Sequence, residues 1–429
     1  MMNQKRPVII VIGGGFGGIK LIKGLKNKPY EIILIDRQNH HTFQPLLYQV
    51  ASCGLTAASI TAPFRRIFKG YHNFRFRMAI VERIDPERKE VFTANGTYKY
   101  DFLVIATGSI TDYYDNEVLE QHSLSLKSVT DALTIRSTLL REFEMAVTRM
   151  HTDEKKILLN FIIIGAGATG VEIAGALAEF KKHIVPVDYP ELDPGLMNIH
   201  VIEASNKVLR RMSPAASAKS QEYLEKMGVK VWLNTRVENY DGLNVTLTDG
   251  TVLRSVCFIW SAGVKGAVIP GLMKEIIQEG NRYKVDSFNR VEGYSNIYAL
   301  GDVAAMISKD IPVGHPLVAL PAMQQGANLA RNFLRELKKK PWKPFRYEDL
   351  GVLSTIGRHK AVADLPYWKT QGVIAWFLWM FIHLIRLIGF RNRLVILVDW
   401  IWSYVTYEYS FRLITQPFRK EKCRVCEGG

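Results

Sequence analysis

Val8-Ile9-Ile10-Val11-Ile12-Gly13-Gly14-Gly15-Phe16-Gly17-Gly18 decides the fold of this chain. Its first residues are all β-branched, the composition of a strand buried on both faces. Glycines follow at once, then a helix-like stretch over residues 19–26 and a second strand over residues 31–35 that ends at Asp36. This is a βαβ unit carrying G-x-G-x-x-G at Gly13, Gly15 and Gly18. Gly13 permits the tight turn, Gly15 lets a pyrophosphate approach the backbone, and Gly18 lets helix and strand pack closely. The helix N-terminus offers unpaired N–H groups and a partial positive charge to phosphates. Asp36 stands 18 residues beyond Gly18, where a carboxylate accepts hydrogen bonds from ribose hydroxyls.

The pattern recurs. Residues 157–164 read as an apolar strand, followed by Gly165-Ala166-Gly167-Ala168-Thr169-Gly170, a helix over residues 171–180 and a strand over residues 200–204 carrying Glu203. Residues 181–198, with Pro186, Pro190, Pro194 and Gly195, read as a loop inserted between helix and strand. Glu203 in the position of Asp36 would repel a 2′-phosphate and so favour NADH over NADPH. Two complete sites imply two dinucleotides. The economical pair is one bound flavin and one exchanging nicotinamide.

Bulk properties agree with this. A length of 429 residues calls for two or three domains. With 48% hydrophobic and 23% charged residues the body is globular. The formal net charge of +15 suggests an anionic partner (nucleic acid, a membrane surface or phosphorylated ligands) without choosing among them. Cys53, Cys257, Cys423 and Cys426 are too few for a secreted disulfide framework. The segment before the first motif is short and polar, so a reducing compartment is expected. Disulfide reduction would need a close cysteine pair after the first βαβ unit, where only Cys53 stands. Cys423 and Cys426 form a lone C-x-x-C, half of a tetrahedral zinc site; a frayed tail is expected there, and no metal.

Composition changes after Pro366. Five of the eight tryptophans fall from Trp368 onward. Residues 372–389 read GVIAWFLWMFIHLIRLIG, and residues 394–407 form a second apolar and aromatic stretch around Asp399. Arg391, Arg393, Arg412, Arg419, Lys420 and Lys422 flank them. A spanning helix needs about 20 largely apolar residues. The first stretch carries Arg386 and the second is too short. Aromatic rings with flanking cations suit the headgroup zone, so a monotopic anchor is expected ahead of a buried or dimerising surface and ahead of a true span. Residues 354–364 are expected to connect the body to this anchor.

Further segments carry a resemblance. Tyr100-Asp101-Phe102-Leu103-Val104-Ile105-Ala106-Thr107-Gly108, Asn296-Ile297-Tyr298-Ala299-Leu300-Gly301-Asp302 and Ile259-Trp260-Ser261-Ala262-Gly263-Val264 resemble segments of the two-dinucleotide-binding flavoproteins. His40-His41-Thr42-Phe43-Gln44-Pro45-Leu46-Leu47-Tyr48-Gln49-Val50-Ala51 and Gly170-Val171-Glu172-Ile173-Ala174 resemble one family within them, the type II (non-pumping) NADH:quinone oxidoreductases. The resemblance covers essentially the whole chain.

It implies an α/β fold with two Rossmann-like domains and C-terminal amphipathic membrane-anchoring helices. The FAD domain (1–115 and 286–365) would be split by an inserted NADH domain (116–285), with the anchor at 366–429. Tightly but non-covalently bound FAD would meet Gly13, Gly15, Phe16, Gly17, Gly18, Asp36, Arg37, Gln44, Pro45, Leu46, Ala106, Thr107, Gly108, Gly301 and Asp302. NADH, as co-substrate, would meet Gly165, Gly167, Thr169, Gly170, Glu172, Glu203, Ala262 and Gly263. Residues 319–326 resemble the family's quinone motif A-Q-x-A-x-Q, but Leu320 replaces its first Gln; Leu320, Gln324 and Gln325 are the quinone candidates.

The implied activity moves two electrons from NADH to a membrane quinone without proton pumping, on the cytoplasmic face of the cell membrane. The implied partners are NADH, the quinone, the lipid surface and a second copy in a homodimer, with no nucleic acid. Glu172 is the catalytic candidate, as a proton shuttle for the quinone; an acid favoured by the helix dipole is the alternative. Two further readings stay open: a flavin-dependent NADH reductase with another acceptor, and a membrane-associated NADH-sensing flavoprotein.

Overall fold

The computed structural model describes residues 6–309, 311–408 and 411–414. Arg419, Lys420, Lys422, Cys423 and Cys426 therefore lie outside the described residues. The chain separates into two compact units. The first comprises Met1–Thr42, Ala62–Ile110 and Val264–Glu348; the second comprises Phe43–Thr61, Thr111–Gly263 and Asp349–Gly429.

The first unit is built on a five-stranded sheet in the order Ile297–Ala299, Phe102–Ile105, Val8–Ile12, Glu31–Asp36, Phe74–Met78. Every pairing is parallel. Ile9, Ile10 and Val11 of the central strand are fully buried, as the β-branched run requires. The register pairs Ile12 with Ile35 and with Ile105, so the carboxyl ends of three strands finish together. In such sheets ligands bind beyond those ends. Helix Phe16–Gly24 leaves the central strand there and packs on helix Ala319–Leu337. A Cβ on Gly326 would lie 2.3 Å from the Gly17 carbonyl oxygen, so only glycine allows this approach.

The second unit repeats the design: Leu124–Ser125, Cys257–Trp260, Asn160–Ile164, Asn198–Ile202, Val229–Trp232, again all parallel. Its central strand begins at Asn160. Ile157 and Leu158, expected in the strand, instead close helix Thr152–Leu158 and are buried there. A short apolar run fits either element equally well. The helix after the second glycine loop runs Ala168–His183. The expected insert then holds a helical turn Val185–Asp188 and a 3-10 turn Pro194–Leu196.

Four segments depart from the expected boundaries, and two of them, residues 111–115 and 349–365, were expected with the FAD part and lie in the second unit. Residues 43–61, expected with the FAD part, pack in the second unit, where helix Leu47–Ala51 rests on helices Val129–Thr148 and Ala168–His183. Residues 264–285, expected with the NADH part, belong to the first unit.

Residues 354–364 are no mere connector. They form a hairpin, Val352–Gly357 against Lys360–Asp364, extended by Lys369–Gln371. The hairpin is fastened at two points. Its Ile356 backbone lies directly on Gly175 of helix Ala168–His183, and the Asp364 carboxylate accepts hydrogen bonds from the Ser213 backbone N–H (2.6 Å) and hydroxyl (2.9 Å).

The tail forms helices Val373–Arg386 and Phe390–Thr406. The first packs on the hairpin and buries Ala375 and Trp379; the second buries Asn392 and Ile396. His383 does not break the apolar stretch. Its ring stacks on Trp379 (4.1 Å) and burial lowers its pKa to about 4, so it is neutral. No helix among the described residues is long and apolar enough to cross a membrane.

A Cβ added at Gly175 would sit 1.5 Å from the Ile356 oxygen, so the hairpin must move. Gly175→Ala is expected to cost about 1–3 kcal/mol, read as a lower midpoint in thermal unfolding. An unchanged midpoint would mean that the hairpin is not seated on this helix.

Candidate active site

The first glycine loop starts with a left-handed turn: Gly13 has φ +101°, and a Cβ there would lie 2.3 Å from the Ala106 carbonyl oxygen. Gly15 caps helix Phe16–Gly24. As a glycine it brings no side chain to the helix N-terminus, and no acid sits in the first turn. The nearest atom to a Cβ on Gly15 is 3.9 Å away, so the approach to the helix N-terminus is open. Such a terminus accepts a pyrophosphate. The Asp36 carboxylate secures the loop, accepting the Gly14 N–H (2.7 Å) and the Gln38 N–H (2.8 Å). Burial raises its pKa, opposed by these two bonds and by Arg37. A carboxylate has about four acceptor sites, so it keeps capacity for a hydroxyl.

His41, which the sequence did not single out, completes this loop. Its Nδ1 is 3.1 Å from the Gly14 carbonyl oxygen, and its ring meets Phe16 edge-on at 5.0 Å. A carbonyl only accepts, so Nδ1 carries the proton. Burial lowers the His41 pKa to about 4 and keeps the ring neutral. Thr107 donates its hydroxyl to the Ala267 oxygen (2.6 Å), and the next residue, Gly108, has φ +71°. Asp302 follows Gly301 in a 3-10 turn and accepts the Ser109 hydroxyl (2.6 Å). Arg37 is exposed. Gln44, Pro45 and Leu46 lie in the second unit, where Gln44 is exposed and Leu46 fully buried.

The second loop matches the first bond for bond. Gly165 has φ +94° and no room for a Cβ, 2.7 Å from Ala262 Cα. Gly167 caps helix Ala168–His183 without a side-chain bond, and a Cβ on it would meet nothing within 4 Å. Glu203, just past strand Asn198–Ile202, accepts the Ala166 N–H (2.7 Å) and the Ser205 N–H (2.8 Å). These are the bonds of Asp36, one repeat later. Thr169 is exposed on the first turn, and Gly170 packs against the Gly165 carbonyl. Ala262 accepts the Tyr114 hydroxyl (3.1 Å), which also lies against Gly263. Tyr114 gave no signal in the sequence, since it precedes Gly263 by 149 residues.

Within the second unit lies an open cavity of about 130 Å³. Tyr48, Gln49, Glu172, Thr355, Trp376, Trp379 and Trp400 line it together with Glu179, Arg358, Tyr404 and Tyr407. Trp400 donates its indole N–H to Gln49 (2.8 Å), and Gln49 donates to the Tyr48 hydroxyl (2.8 Å). Burial pushes the Glu172 pKa up to about 8, against the pull of the Thr355 backbone N–H and then of the Trp379 indole. The indole nitrogen faces Glu172 outside good hydrogen-bonding geometry. Glu172 is therefore largely a neutral carboxylic acid at pH 7.

Leu320, Gln324 and Gln325 do not line this cavity. They lie on helix Ala319–Leu337 in the first unit. Gln324 exchanges two hydrogen bonds with the Glu348 backbone (2.8 and 3.0 Å), and buried Gln325 accepts the Gly301 N–H (2.7 Å). Both amides thus fasten the helix to its own unit. Cys53 and Cys257 are both buried, and burial raises both thiol pKa values, that of Cys53 to about 12.

Two parallel sheets, each with an open glycine loop at its carboxyl edge, define an oxidoreductase fold with two dinucleotide sites. The profile of the pyridine nucleotide-disulphide oxidoreductases matches residues 7–326, and that of the NDH2 C-terminal domain matches residues 350–406. The type II NADH:quinone oxidoreductase Ndh of Mycobacterium tuberculosis is 32% identical over 421 residues, covering 94% of this chain and 89% of that protein. The external alternative NAD(P)H-ubiquinone oxidoreductase B2 of Arabidopsis thaliana is 27% identical, covering 94% and 89%. Among solved structures, NDH2 from Plasmodium falciparum in complex with NADH superposes with a TM-score of 0.88 at 22% identity, over 96% of this chain and 100% of that one. The chain belongs to the type II NADH:quinone oxidoreductases of the pyridine nucleotide-disulphide oxidoreductase family.

If Glu203 meets the NADH ribose, Glu203→Gln removes a charge that would repel a 2′-phosphate, and it weakens a charge-assisted bond to the loop, worth about 1.5–3 kcal/mol. The expected result is a KM for NADH raised about tenfold or more, with narrower discrimination against NADPH. Steady-state kinetics with both nucleotides checks this; unchanged discrimination would remove Glu203 from nucleotide choice.

Proposed function

We propose that this chain oxidises NADH and reduces a membrane quinone through bound FAD, without pumping protons, while docked as a peripheral protein on a lipid surface. The observation that carries it is the coexistence of three sites of different chemistry. Two glycine loops have identical carboxylate bonding, and the third site is an aromatic cavity without a phosphate-binding loop. The first loop, with Asp36 and Asp302, is assigned to FAD. The second, with Thr169, Glu203, Ala262 and Gly263, is assigned to NADH. The cavity is assigned to the quinone ring.

FAD held at the first loop would supply the two-electron chemistry that joins NADH oxidation to quinone reduction. The chain's own residues bind, orient and protonate. Trp376, Trp379, Trp400 and Tyr48 offer aromatic walls to a flat ring. Gln49 and the Thr355 segment offer polar edges. Glu172, neutral near pH 7, holds a proton for a quinone oxygen. Polar recognition of the quinone thus falls to the cavity; Gln324 and Gln325 brace their helix, and Leu320 adds apolar surface.

The tail supports docking on lipid. Ile374, Phe377, Phe381 and Ile385 recur at helical spacing and are each at least half exposed, as are Leu394, Val398, Ile401 and Val405. Arg386, Arg391 and Arg393 stand exposed beside them. An outward apolar face rimmed by cations fits the headgroup zone of an anionic leaflet. The cytoplasmic face is the side where NADH is at hand.

The donor form of Glu172 is present below its pKa and lost above it, so quinone reduction is expected to decline as pH rises through about 8. Glu172→Gln should be slower by about a hundredfold, lose that decline and keep its flavin. Unchanged turnover at saturating NADH and quinone would exclude Glu172. For docking, the double variant F377E/F381E is expected to lose sedimentation with anionic vesicles and turnover of a long-tailed quinone in them, while a short-tailed soluble quinone is still reduced. Undiminished vesicle binding would refute the anchor.

A further inference from the structure

Proton stoichiometry leaves a gap in this chemistry. NADH releases two electrons and one proton; a quinone becoming a quinol takes up two electrons and two protons. One proton per turnover must come from water, yet the cavity around Glu172 is walled by indoles and Glu172 itself is buried.

Glu172, Glu179 and His183 stand at i, i+7 and i+11 on helix Ala168–His183 and share one face of it. The two acids are about 10 Å apart along the axis. Both line the same cavity, and the residue between them on that face, Ala176, lines it too, with a side chain too small to block the passage. The cavity is open, its lining includes the polar groups of Gln49, Glu172, Glu179 and Arg358, and its volume of about 130 Å³ admits water. Glu179 is only 9% exposed. Its Oε1 accepts the Arg358 backbone N–H (3.2 Å), and its Oε2 is 3.4 Å from His183 Nε2. Gly357 makes room for it: a Cβ there would lie 3.0 Å from Oε1. The His183 ring stacks at 4.4 Å on Tyr407, an exposed residue at the cavity's rim.

We propose that His183 and Glu179 are the outer stations of a proton path that runs along this helix face to Glu172 and delivers the solvent proton consumed in each turnover. The inference rests on the proton-donor role of Glu172 proposed above. His183 takes a proton from water and gives it to Glu179; cavity water carries it to Glu172, which has lost its own to the quinone. Glu179 and His183 are positioning residues for this transfer and do not touch the quinone.

The charges around the pair favour passage over trapping. Lys182 on the same helix, and Arg358 and Lys360 on the hairpin, oppose a lasting positive charge on His183, while Glu179 attracts one. Burial is the largest influence and lowers the His183 pKa. From the tail come Tyr404 and Tyr407, both under the Arg358 guanidinium at 4.3 and 3.9 Å. The remaining nearby pair, Arg412 with Asp188 at 2.6 Å, is self-neutralising.

The test separates the two half-reactions. The FAD-loaded full-length chain and its variants E172Q, E179Q and H183Q are reduced anaerobically with NADH, then mixed with a short-tailed quinone in H2O and D2O between pH 6 and 9. For E179Q and H183Q, flavin bleaching by NADH should keep its rate. Reoxidation should slow by about tenfold or more, short of the ~10²–10⁴-fold of direct general acid–base contact. It should also show a larger solvent isotope effect and recover in part with added imidazole. Wild-type reoxidation rates in E179Q and H183Q alongside a slow E172Q would overturn the path alone. Wild-type reoxidation in E172Q would overturn the role of Glu172 and the path with it. If E179Q fails to load flavin, H183Q reads the same step: slowed reoxidation supports the path and an unchanged rate overturns it.

Discussion

A carboxylate resting on a glycine loop is the contact on which both halves of this protein depend. Asp36 holds the Gly14 N–H, and Glu203 holds the Ala166 N–H, each within 2.7 Å. Each bond fixes the loop between strand and helix, and the N-cap glycine leaves the approach to the helix N-terminus open. Without it the loop would close on its own donors or lose its shape. Because the acid ends the next strand, the parallel register is what delivers it to the loop.

Helix Ala168–His183 carries a second burden. Its N-terminus faces the nucleotide loop, and its flank forms a wall of the cavity. Gly175 lets the hairpin backbone settle on that flank, which brings Thr355, Ile356, Gly357 and Arg358 to the cavity edge. The tail helix Val373–Arg386 packs in turn on the hairpin and adds Trp376 and Trp379. One missing methyl group thus couples the nucleotide-binding helix to the aromatic walls. The same packing shields Glu172 from bulk solvent and raises its pKa, which turns an ordinary acid into a proton store near neutral pH.

The two glycine loops were legible in the sequence because all their parts are local: strand, turn, helix and acid within one βαβ unit. Glu203 was legible despite the long insert before it, since Asn198–Ile202 still ends beside the loop. The cavity was not legible. Tyr48, Glu172, Thr355 and Trp400 come from stretches far apart in the chain, and no periodicity links them. The hairpin at 352–364 was read as a connector because its anchor, Gly175, lies about 180 residues earlier, inside what looks like an ordinary helix. Gln324 and Gln325 show a different limit, because a motif does not reveal what else its side chains hold. Their motif drew attention to a ligand, while both amides are engaged with backbone. His41 lay in the stretch that carries the family resemblance, but its own contact with the Gly14 carbonyl leaves no mark in the sequence.

The most direct measurement is an anaerobic titration of the purified wild-type protein. NADH is added in steps while the flavin absorbance is followed, and one equivalent of quinone is then supplied. The expected result is bleaching complete at one NADH per flavin, followed by full recovery of the absorbance on adding quinone. No bleaching, or bleaching that quinone leaves unchanged, would contradict the flow of electrons from the second loop through FAD to a quinone.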